Sequence, residues 1–132
     1  MADYTAKKID ELEGAFRGTF KRARAELGVE AFGMQVMDLP ANLTQFPAHD
    51  HSHSGQEEVY LVLRGRCELE VEGERIALDP DTIVRVGPSS KRTFYTGEEP
   101  ARVLALGGVP GAAYEAPELS KLGAPDVLPH QN

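Results

Sequence analysis

Five residues within ten positions carry most of the chemistry that this chain advertises: His49, His51, His53, Glu57 and Glu58. The histidines alternate with Asp50 and Ser52, and an apolar and aromatic run from Val59 closes at Gly65. In an extended chain alternate side chains share a face, so the three imidazoles would form a row. Neighbours in such a row stand roughly 6.6 Å apart and the outer pair about 13 Å apart. Two adjacent imidazoles can therefore converge on one ion, whereas three need a bend. Two histidines with one carboxylate is the natural unit, and it is a set that holds divalent zinc, manganese, iron or nickel. Periodicity does not choose the carboxylate, because the faces Glu57/Val59/Leu61/Leu63 and Glu58/Tyr60/Val62 are both largely apolar.

The elements around this stretch are mainly short strands. Ala31 to Leu39 reads as a strand closed by Pro40, and Glu58 to Leu63 as another. Arg66 to Glu72 alternates Cys67, Leu69 and Val71 with charged residues, giving one face to a core and one to water. Glu72-Gly73-Glu74 has the form of a tight hairpin turn. Further strands follow at Arg75 to Leu78, Thr82 to Val86, Arg92 to Tyr95 and Arg102 to Leu106. Connections this short exclude parallel crossovers and indicate an all-β sandwich or barrel.

The spacing His51-x-His53, four residues, Glu58, six residues, Gly65 resembles the first motif of the cupin superfamily. That resemblance implies an all-β, double-stranded β-helix (jelly-roll) barrel with His51, His53 and Glu58 as ligands of a divalent metal, and His49 as an extra. The second motif departs from the family pattern. Counting back from Phe94, its histidine position holds Arg92, which has no lone pair to give a metal. If Arg92 points inward, its guanidinium fork suits an anion on a ligand, with Tyr60 and Phe94 lining the pocket. If it points outward, it is a surface residue near the barrel mouth.

The whole chain of 132 residues reads as one cupin-type domain. The core barrel is expected over about 32–106, with an N-terminal extension over 1–31 and a tail over 107–132. In the extension, Ile9, Leu12 and Phe16 lie at helical spacing and predict a short helix over 5–16. Residues 18–27 are read as extended, with the basic patch Lys21-Arg22-Ala23-Arg24 as a solvated face. The tail, rich in proline, is expected to pack loosely around a helical turn at Pro117 to Leu122, and His130 in it is not read as a ligand.

A formal net charge of -7 repels nucleic acid and acidic membrane surfaces. The single Cys67 allows no internal disulfide and reads as a buried apolar residue. With no apolar leader and no run of membrane-spanning length, a cytoplasmic protein is expected. Three functions remain open: a metal-dependent enzyme acting on a small organic molecule, a metal-free barrel that binds or senses one, and a stable dimeric scaffold without any ligand. Unpaired edge strands, and the family's habit of covering them, add the expectation of a homodimer.

Overall fold

The computed structural model describes residues 2–126. Among the described residues nine strands make two antiparallel sheets: β1 (Gly14–Ala15), β2 (Phe20–Lys21), β3 (Gly33–Leu39), β4 (Glu57–Gly65), β5 (Cys67–Val71), β6 (Glu74–Leu78), β7 (Ile83–Val86), β8 (Arg92–Tyr95) and β9 (Ala101–Gly108). The larger sheet runs β1-β2-β3-β9-β4-β7 and the smaller β6-β5-β8. The β5–β6 hairpin turns at Glu72-Gly73, with Val71 opposite Glu74.

Alternation decides which side chains the sheets bury between them. Met37, Leu39, Tyr60, Val62 and Val103 from the larger sheet meet Leu69, Leu78 and Phe94 from the smaller. This register sends Glu58 inward with Tyr60 and Val62, and leaves Glu57 outside, where Arg85 Nε donates to it at 2.7 Å.

The N-terminal extension covers part of the larger sheet's outer face, but not as the helix expected over 5–16. Only a 3-10 turn, Ile9–Glu11, forms there. Gly14 enters β1, and a tight turn follows in which Phe16 and Arg17 take positive φ of 53° and 59°. Ile9 and Leu12 pack with Ala23 against Val36, Met34 and Leu104 instead. The helix, α1 (Ala23–Leu27), lies in the segment read as extended. Its Ala-Arg-Ala-Glu-Leu composition favours that state.

The patch at 21–24 and the tail also differ from expectation, and for one reason. Arg22 is buried, donating to Leu119 O at 2.8 Å and Ala124 O at 2.9 Å, with Glu13 as its counter-ion. The Gly123 amide donates to the same carboxylate at 2.7 Å. One arginine thus straps the C-terminal segment, with its 3-10 turn Glu118–Ser120, onto the N-terminal one. No helix among the described residues is long and apolar enough to cross a membrane.

Candidate metal centre and cavity

The chain from Asn42 to His51 runs antiparallel beside β8. Backbone hydrogen bonds join His49 to Arg92 in both directions, at 3.0 and 2.9 Å, and the His51 amide donates to Pro88 O at 2.8 Å. Residues opposed across an antiparallel bridge project to the same side, so His49 and Arg92 share a face. Glu58 reaches the same place from β4.

His49, His51 and Glu58 each present one donor atom, and the three lie within 4.8 Å of one another. The His49 Nδ1 approaches Pro47 O at 3.3 Å, which favours a proton on Nδ1 and a free lone pair on Nε2. Burial holds the His49 ring below its ordinary pKa and so in the neutral, ligating form. The His51 Nε2 is 3.1 Å from Glu58 Oε1 but poorly aligned with it, and this buried nitrogen has no hydrogen bond.

His53 lies outside this cluster. After His51 the chain turns, with the Ser54 and Gly55 amides donating to His51 O at 3.1 and 2.9 Å and Asp50 accepting from Ser52. The turn ends the period-two alternation, so the expected row of three imidazoles stops at two. His53 is exposed there, its ring 6.1 Å from that of His51, though it still lines the cavity. His130 lies outside the described residues.

Arg92 does point inward, but it is not on the cavity wall. Its side chain is fully buried, and its donors go to Ser90 O at 3.0 Å, Gly87 O at 2.6 Å and Glu58 Oε1 at 2.7 Å. The anion that it holds is therefore Glu58, in place of the external ligand expected from sequence. Tyr60 adds a hydroxyl hydrogen bond to the same oxygen, and Gln56 Nε2 reaches Oε2 at 3.3 Å. Burial alone would raise the Glu58 carboxyl, but His51, the Tyr60 hydroxyl and the Arg92 charge hold it at about 2. Burial and the Glu58 charge push the Tyr60 phenol well up, so it stays a donor.

Above this floor is a cavity of about 210 Å³. Tyr60 and Phe94 are on its wall as expected, their rings edge to face at 5.0 Å. Gln56, Arg24 and Tyr114 are there too, and none stood out in the sequence, because two of them come from segments outside the barrel. Two glycines make room: a Cβ on Gly33 would stand 2.8 Å from the Tyr114 hydroxyl, and one on Gly107 would stand 2.5 Å from Gln56 Nε2.

A family model described as a cupin domain matches residues 35–107, more than half of the chain. The chain belongs to the cupin family. Solved structures agree on the fold. A cupin protein from Bacteroides fragilis is 21% identical with a TM-score of 0.68, over 89% of this chain and 93% of that one. A protein described as a sugar phosphate isomerase of the cupin superfamily, from Silicibacter pomeroyi, is 15% identical with a TM-score of 0.62, over 78% and 74%. The cupin domain of a transcriptional regulator from Enterobacter cloacae is 20% identical with a TM-score of 0.54, over 63% and 86%. No curated protein matches this cupin significantly. At these identities the likeness carries the fold and leaves the function to the site itself.

Proposed function

We propose that this cupin binds a small organic molecule in its cavity beside a divalent metal ion held by His49, His51 and Glu58. The convergence of these three donors at the cavity wall carries the reading. The buried His51 Nε2, 3.1 Å from Glu58 Oε1 without an aligned hydrogen bond to it, fits an ion shared with that carboxylate. Zinc, manganese, iron and nickel all accept two imidazoles and a carboxylate. Such an ion supplies Lewis acidity, or redox chemistry where it is iron, to a molecule in its open positions. The chain's own residues position: Pro47 O orients His49, and Tyr60 and Arg92 fix the Glu58 carboxylate through Oε1, leaving Oε2 toward Gln56. Elemental analysis of protein purified without a nickel column tests the reading. About one divalent ion per chain supports it.

Arg92 favours a second reading, a metal-free binding or sensing barrel. Its buried charge already neutralises Glu58, and it opposes a dication in the same place. Protein that takes up no divalent ion after chelation and reloading would decide for this one.

The assembly we propose is a homodimer. β7 is an edge strand, and Ile83 on it is 72% exposed, beside Leu63 at 38%. With Val59, Leu61 and Leu106 these form an apolar outer face that the N-terminal segment does not cover.

A further inference from the structure

We propose that Arg24, from the N-terminal extension, is a specificity residue that selects a monoanionic carboxylate with an apolar body as the cavity's ligand. The inference rests on the cavity being a binding site, as proposed above, and adds the chemical class of what enters it.

Arg24, itself half-buried, is the odd one out among the cations that are not exposed. Of the lysines and arginines that are not exposed, Lys21 pairs with Asp38, Arg22 with Glu13, Arg92 with Glu58 and Arg102 with Asp38. Among the described residues Arg24 alone in this group has no carboxylate partner. The chain holds 21 acidic residues against 14 basic ones, so carboxylates are not scarce. Glu115 lines the same cavity, but it is exposed and forms no ion pair with Arg24.

The guanidinium is also only part used. Nη1 donates to Val29 O at 3.0 Å, while Nε is buried with no hydrogen-bond partner. A buried donor left unmade is costly. The Nε side of the fork is the edge that takes a carboxylate through two parallel hydrogen bonds.

The remaining wall sets the rest of the ligand. Met34, Met37, Phe46, Phe94 and Leu119 give it an apolar lining. The other buried cation nearby, Arg92, is spent on Glu58. Before any ion is bound, Arg24 is the unpaired positive charge on this wall, and in apolar surroundings it matches one negative charge on an apolar body; a phosphate dianion would be left half-neutralised.

The test is a ligand-observed NMR titration with hexanoate and its uncharged amide, hexanamide, on chelator-treated and on zinc-loaded protein. On the chelator-treated protein, where no ion competes for the carboxylate, hexanoate is expected to bind at least tenfold more tightly than hexanamide. Arg24→Gln should erase that preference while leaving zinc affinity unchanged. The comparison of the two compounds on the unaltered protein needs no variant, so it stands even if Arg24→Gln folds poorly. Equal affinities, or a preference that survives in Arg24→Gln, would overturn the role of Arg24 and leave the binding cavity in place. Binding of neither compound in either form would overturn both.

Discussion

Arg92 and Glu58 form a buried ion pair at 2.7 Å on the floor of the cavity, at the position where the family pattern has a histidine ligand. The pair ties β8 to β4, and so joins the two sheets at the point where His49, His51 and Glu58 converge. Under the proposed metal reading, it would make Arg92 a structural counter-ion and a brake on metal affinity at once.

The structural half of that statement is tested by Arg92→Met. Removing one partner of a buried pair leaves the other charge uncompensated, and here also strips Gly87 O and Ser90 O of a donor. The expected loss is about 3–5 kcal/mol in urea unfolding. A loss below about 1 kcal/mol would mean that Glu58 finds other partners.

The brake is tested by Arg92→His. Two unit charges about 6 Å apart at an effective dielectric near 20 repel by nearly 3 kcal/mol per unit of metal charge, before screening. The variant removes that repulsion and adds an imidazole. Zinc or manganese should bind at least tenfold more tightly by calorimetry, with the fold intact by circular dichroism. Unchanged affinity would show that Arg92 does not oppose the ion.

Acid should weaken the metal-free protein in a defined window. Glu58 is held at about 2 in the folded state against an ordinary value of 4.5, so its contribution is fully present above about 4.5 and is lost as pH falls toward 2. The difference corresponds to roughly 3 kcal/mol. His49, held neutral by burial, acts with the same sign from its ordinary value of 6.5 downward. Glu58→Gln should flatten the lower part of the stability profile. A profile identical to the unaltered protein would contradict the assignment.

How much of this was legible in the sequence depended on range. Strand alternation is local, and it placed β3 to β9 closely; the hairpin at Glu72-Gly73 was visible for the same reason. The choice of Glu58 over Glu57 needed the family pattern, because both faces of β4 are apolar, one toward the core and one toward the proposed dimer face. The turn at Asp50 to Gly55 takes His53 out of the row, and histidine alternation alone does not signal it. Arg22 and Arg24 read from sequence only as part of a solvated face, and Tyr114 carries no signal. Arg22 joins the two ends of the chain at Leu119, while Arg24 and Tyr114 come to one cavity wall from opposite ends of the sequence, and no local period records either.

The apolar outer face of β4 and β7 predicts self-association. Ile83→Lys with Leu63→Lys should convert a dimer burying more than about 1,000 Å² into a monomer. Light scattering at micromolar concentration checks this. A monomer mass before the substitutions would remove the claim.

The central claim is that His49, His51 and Glu58, rather than the His53 side of the row, hold the metal. Zinc titration calorimetry on the unaltered protein, His49→Ala and His53→Ala tests it most directly. The geometry predicts at least a tenfold loss for His49→Ala, about 1.4 kcal/mol or more, and less than a threefold change for His53→Ala. An equal or larger loss at His53 would contradict the account.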